Sequence, residues 1–116
     1  MASDFIAHVE IPSINLDKSS EFYQTLFGWD FKPFGNGYLL FNTHKAFTIG
    51  LRKVEKIVKG ECTIFHVRVE DLGGLLAKAT SLGAHISRGK TTIPAMGYYA
   101  LITDVDGNTI GLYQGN

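Results

Sequence analysis

The chain has 116 residues, which sets a single compact domain as the expectation and leaves little length for a second independent fold. Hydrophobic residues make up 45% and charged residues 19%, a globular balance that excludes intrinsic disorder and low-complexity architecture. Eleven Lys and Arg offset eleven Asp and Glu with no run of like charge, so nucleic acid and acidic membrane surfaces, which require a basic patch, are not expected as partners.

His8-Val9-Glu10-Ile11 alternates polar and apolar residues, the pattern of a half-buried strand. Asn15 then supplies a helix N-cap and Asp17 an acidic first turn, while Leu16, Phe22, Tyr23, Leu26 and Phe27 share one helical face before Gly28 stops the helix. Three short strands are predicted near 29–34, 37–42 and 46–52, the first two joined through Gly35-Asn36-Gly37. The polar stretch KVEKIVKGE at 53–61 reads as a linker. Alternation resumes over 62–69, Asp71 caps a helix whose stripe is Leu72, Leu75, Leu76, Ala79 and Leu82, and Gly83 stops it. Strands near 84–87, 97–103 and 109–114 follow, with Asp106-Gly107-Asn108 as a tight turn.

The order strand, helix, three strands thus occurs twice, and the residues repeat with it. IAHVEI resembles IFHVRV, Asn15-Leu16 matches Asp71-Leu72, Gly37-Tyr38 is echoed by Gly97-Tyr98, and TIGL occurs at 48–51 and 109–112. Two βαβββ modules of about 55 residues follow, an α+β class with several elements per repeat. Module one is placed at 5–54 and module two at 61–115, together forming one domain over 1–116. MASDFIAHVE lacks the charged and apolar regions of a secretory signal, and no stretch reaches membrane-spanning length. The single Cys62 has no internal partner and no zinc-type spacing, so a soluble cytoplasmic protein is expected.

Residues two apart in a strand share a side of the sheet. Val9, Ile11, Ile49, Leu51, Val67, Val69, Ile110 and Leu112 form an apolar set suited to covering the helices. The opposite set holds His8, Glu10, Thr48, Gly50 and Arg52 in module one, with His66, Arg68, Thr109, Gly111 and Tyr113 in module two. If the sheets curl toward each other these residues line a shared polar concavity, and His8, Glu10, Arg52, His66, Arg68 and Tyr113 are the candidate ligand-binding residues. The plainer reading pairs Glu10 with Arg68 and satisfies the histidines through backbone or water. Tyr38, Tyr98 and Tyr99 beside glycine read as packing residues, and Trp29 as core. His44, His85 and Met96 are assigned no role, and Cys62 reads as packing.

HVEIPSINLDKSSEFYQTLFGWDF, VEDLGGLLAKATSLGAHI and AMGYYALITDVDGNTIGLYQ resemble the vicinal oxygen chelate superfamily, which includes glyoxalase I, bleomycin-resistance proteins and extradiol dioxygenases. FGW and DGNTIGLYQ look like a small bacterial glyoxalase-related subgroup. The resemblance implies paired βαβββ modules curled into a half-barrel around a small-molecule cavity, commonly completed in a homodimer. It also implies a divalent metal held by one side chain from the first and last strand of each module. His8 matches the first of these positions, but the last-strand positions, usually Glu, fall at Gly50 and Gly111, and the remaining one falls at Ile64. With a catalytic metal needing about three protein ligands, no cofactor is predicted, and a small-molecule binder without the four-ligand site is expected. The alternative is a lyase, isomerase or dioxygenase with Fe, Mn, Ni or Zn in a rearranged His8/Glu10/His66 site. A metal-free acid/base site at His8 or His66 with Glu10 lies between the two.

Overall fold

The computed structural model describes residues 6–58 and 64–116, in two compact units, Met1–Ile57 and Val58–Asn116. Cys62 and the predicted start of the second module's first strand lie outside the described residues.

The first unit runs β1 (His8–Ser13), α1 (Leu16–Phe27), β2 (Lys32–Pro33), β3 (Tyr38–Asn42), β4 (Thr48–Lys53). Its sheet has the order β1-β4-β3-β2, with β1 parallel to β4 and the other pairs antiparallel. The helix begins where the Asn15 side chain accepts the Lys18 N–H at 3.1 Å and ends at Gly28, whose φ of +79° suits a residue without Cβ. Phe22, Tyr23 and Leu26 on its inner face bury Ile11, Ile49 and Leu51, so the predicted apolar face is the core face. Val9 is half-buried at its margin. Ser13 and Ser19 satisfy each other inside this core through a 2.7 Å hydroxyl hydrogen bond.

The strand expected at 29–34 shortens to Lys32–Pro33. Phe31 is buried and Trp29 half-buried in an aromatic cluster, Trp29 lying 4.7 Å from Phe27 and 5.5 Å from Tyr23 between ring centroids, so both serve helix packing instead of a ladder. Pro33 offers no N–H to extend the pairing. Gly35 and Gly37 take φ of +79° and +70° in the predicted turn.

The second unit runs β5 (His66–Arg68), α2 (Leu72–Ser81), β6 (His85–Ile93), β7 (Gly97–Thr103), β8 (Thr109–Gly115), ordered β5-β8-β7-β6 with β5 parallel to β8. Asp71 caps α2 by accepting the Gly74 N–H at 3.1 Å, and Leu72, Leu76 and Ala79 bury Ala100, Ile102, Ile110 and Leu112. Leu82 is the C-cap and Gly83, the predicted stop, follows it at φ +97°. The strand expected at 84–87 extends to Ile93; SRGKTT carries no apolar alternation to announce it, and the ladder to β7 breaks register at two places, between Ile86 and Arg88 and between Arg88 and Thr91. The Asp106-Gly107-Asn108 turn is organised by buried Asp104, whose Oδ1 accepts the N–H groups of Asp106 and Asn108 at 2.9 Å and whose Oδ2 accepts the Asn108 side-chain amide at 2.9 Å. No helix of the described residues is long and apolar enough to cross a membrane.

Asp104→Ala removes the carboxylate that accepts from three half-buried donors, and urea denaturation should show a loss of about 2–3 kcal/mol. Asn15→Ala, which removes one exposed cap, should cost about 1 kcal/mol in the same assay.

Candidate functional site

Helix α1 covers one face of the first sheet, and the register fixes what stands on the other. His8 pairs with Thr48, Glu10 with Gly50, and Tyr38 with Arg52 across β3 and β4. Alternation therefore places His8, Glu10, Thr48, Arg52 and Tyr38 on a single side. Their side chains join in a continuous chain. Thr48 Oγ1 lies 2.7 Å from His8 Nδ1, the Tyr38 hydroxyl 2.8 Å from His8 Nε2, and the same hydroxyl donates to Glu10 Oε1 at 2.8 Å. Arg52 Nε–H then donates to Glu10 Oε2 at 3.0 Å. With its only proton given to Glu10, the Tyr38 oxygen accepts from His8 Nε2, and in the tautomer with its proton on that nitrogen Nδ1 accepts from the Thr48 hydroxyl.

The electrostatics follow the geometry. The Tyr38 hydrogen bond is the largest influence on Glu10 and, with the smaller contributions of Arg52 and His8, holds its carboxyl below the usual carboxylate range against desolvation, the second largest. Desolvation and the Glu10 carboxylate push the Tyr38 phenol up to about 12, so it remains a proton donor at neutral pH. Glu10 and Arg52 are 38% and 53% exposed at the side chain, which keeps the pair within reach of a ligand and of solvent screening.

Gly50 makes this chain possible. A Cβ there would fall on the Tyr38 hydroxyl and 2.9 Å from His8 Cε1. Tyr38, expected to be a packing residue, instead bridges His8 and Glu10 across the bare backbone of β4. The readable signal was a glycine inside a strand, which marks a close approach. Beside it, Phe34 meets Tyr38 edge-on at 6.2 Å and helps line a depression of about 380 Å³ with Lys32, Pro33, Leu40, Phe41 and Asn42. Lys32 within it is paired with Asp30 at 3.0 Å.

In the second unit His66 and Arg68 face the same way as Gly111 and Tyr113, as predicted. A Cβ at Gly111 would land on the His66 ring, and the Arg68 guanidinium lies 5.1 Å above the Tyr113 ring, whose hydroxyl donates to the Met96 carbonyl at 2.7 Å. Tyr99 pairs with Tyr113 and its ring lies 6.5 Å from that of His66. The register corrects one repeat match. IAHVEI against IFHVRV equates His8 with His66, but His66 pairs with Gly111 as Glu10 pairs with Gly50, so Ile64 is the counterpart of His8. The spacing to the cap is the same in both modules, Glu10 to Asn15 and His66 to Asp71, so the His-Val pair of the second module simply stands two positions nearer its helix.

These residues do not fit the four-ligand metal set that the sequence resemblance implies. Its last-strand positions are glycines whose missing side-chain volumes are occupied by Tyr38 and His66, and the remaining first-strand position is Ile64. Within each unit, among the described residues, no three His, Cys, Asp or Glu converge on a point suited to a metal ion.

Residues 5–112 match the family model of the Glyoxalase/Bleomycin resistance protein/Dioxygenase superfamily. A glyoxylase-like domain-containing protein of Didymella fabae is 27% identical over 114 aligned residues, 90% of this chain and 88% of the relative. Among solved structures, a glyoxalase/bleomycin resistance protein/dioxygenase family enzyme from Burkholderia phytofirmans PsJN superposes with a TM-score of 0.82 at 18% identity, covering 95% of this chain and 98% of that one. An antibiotic binding protein from Streptomyces sp. CB03234 gives 0.71 at 21% identity over 100% and 99% of the two chains.

Gly50→Ala should destabilise the protein by about 1–3 kcal/mol, and by clearly less in a Tyr38→Ala background, a double-mutant cycle read by denaturation. Equal costs in both backgrounds would show that Tyr38 does not occupy that space. Because folding lowers the Glu10 pKa from its ordinary 4.5, its contribution is complete above that value and is lost as pH falls through the folded-state value. Stability of the parent chain relative to Glu10→Gln should therefore decline over that acid window, and less steeply in high salt.

Proposed function

The chain belongs to the Glyoxalase/Bleomycin resistance protein/Dioxygenase superfamily, and from that premise we propose that it binds a small organic molecule on the polar face of its first sheet. The observation that carries this reading is the half-exposed chain from Thr48 through His8, Tyr38 and Glu10 to Arg52 beside a depression of about 380 Å³. A volume of that size falls within the usual range for small-ligand sites. A folded protein loses little by leaving charges apart on its surface, whereas this chain locks five side chains from three strands into one orientation. Such preorganisation favours binding because less side-chain freedom is lost when a ligand arrives.

Binding is favoured over proton abstraction by the state of Glu10. A carboxyl held below its usual range is a fixed acceptor and a weak base, and Tyr38 at about 12 holds its proton. The family's metal chemistry is not drawn on, since positions 50 and 111 lack ligating atoms. The antibiotic binding protein of similar fold supports the same class of function.

Isothermal titration of a panel of aromatic metabolites and antibiotics should find at least one saturable ligand with one site per chain. Tyr38→Ala should weaken it about tenfold or more while circular dichroism retains the fold. A panel without a saturable ligand, or one whose ligands ignore Tyr38, would overturn the reading.

A further inference from the structure

Every member of the hydrogen-bonded chain on the first sheet except the last spends its side-chain donors within the chain. Thr48 is turned to His8 Nδ1, His8 Nε2 to Tyr38, the Tyr38 proton to Glu10 Oε1, and Glu10 Oε2 to Arg52 Nε. The two terminal amino groups of Arg52 take no hydrogen bond among the described residues, and the side chain is 53% exposed. A guanidinium fixed through Nε presents those groups as a planar fork, the shape that meets two oxygens of one anion. Beside it stand an aromatic ring and an apolar recess. Tyr38 is the cross-strand partner of Arg52, and Phe34, 63% exposed and edge-on to Tyr38, opens the depression that also holds Leu40. Within the depression itself, Lys32 is already paired with Asp30, and His44 also lines it.

Resting on the binding reading above, we infer that the ligand is an organic oxyanion, a carboxylate or phosphonate on an apolar or aromatic body. Its oxygens take the Arg52 fork, and its body lies over Phe34 in the depression. The rest of the chain then has a purpose that a plain surface ion pair lacks. Glu10 alone would leave Arg52 free to swing, but Glu10 is itself held by Tyr38, and Tyr38 is held by His8 over Gly50. These are positioning residues, and Arg52 is the residue that touches the ligand. Glu10 also sets the selectivity, because its charge already balances Arg52. A lone anion gains little there, and an acid needs its apolar body to bind well.

The test uses phenylacetate and phenylphosphonate, with phenylacetamide and acetate as controls, titrated calorimetrically into the full chain. Both aromatic acids should bind about tenfold or more tightly than the amide, and more tightly than acetate. Arg52→Gln should remove that preference by weakening both acids about tenfold or more beyond any loss for the amide. Arg52→Lys, which keeps the charge and loses the fork, should recover only part of it, and Lys32→Met should leave it within about twofold. Phe34→Ala should weaken both acid and amide together. Acid and amide binding equally would sink the oxyanion and leave a binding site standing. A preference lost in Lys32→Met and kept in Arg52→Gln would reassign the anion to Lys32. If none of the four probes binds while the wider panel yields a neutral ligand sensitive to Tyr38, only the present inference fails; if the panel yields nothing, the binding reading fails with it.

Discussion

One helix covers only one face of a four-stranded sheet, and each unit has a single helix among its described residues. That constraint arranges nearly everything else. The parallel pairing of the first and last strands puts Ile11, Ile49 and Leu51 under α1, and Ile110 and Leu112 under α2, with the helix supplying the remaining core. Burial of these side chains is the dominant favourable contribution to each unit. The other face of each sheet is then released from the demand for apolar residues, and histidine, glutamate, arginine and tyrosine collect there.

On that released face the two units use one device differently. Each has a glycine in the middle of its last strand, and each lets a ring lie where a side chain would stand. In the first unit the ring is Tyr38 from the neighbouring antiparallel strand, and its hydroxyl links an imidazole to a carboxylate. In the second the ring is His66 from the parallel strand, lying 6.5 Å from Tyr99. A shared backbone frame thus carries two chemically distinct surfaces, and the difference arises from which neighbour leans across the gap.

Much of this was legible in the residues. Asn15 and Asp71 cap the helices they were expected to cap, and strict alternation around the two TIGL segments assigned both faces correctly. Three things were not legible, each for a physical reason. The strand predicted from residue 29 is shortened because Phe31 joins Trp29, already read as core, in the aromatic cluster of α1, where burial outweighs strand pairing. The repeated His-Val pair suggested an equivalence that strand register denies, because similar residues stand two positions nearer the cap in the second module, where only the spacing to Asp71 marks Ile64 as the counterpart of His8. Tyr38 was hidden because its role depends on a contact with Gly50 twelve positions along the chain, which only the β3–β4 register brings together.

The β2 edge of the first sheet and the β6 edge of the second differ in length but share one property. At the edge of the first, β2 has only two residues, one of them a proline without a donor. At the edge of the second, β6 spans nine residues, long enough to template another strand, yet it twice loses step with β7 and carries Arg88 and Lys90 along it. A straight, uncharged ribbon is what an incoming chain needs for strand-by-strand accretion, and neither margin offers one. Crowded solutions of this protein thus lack the commonest nucleus for fibril growth at those two edges.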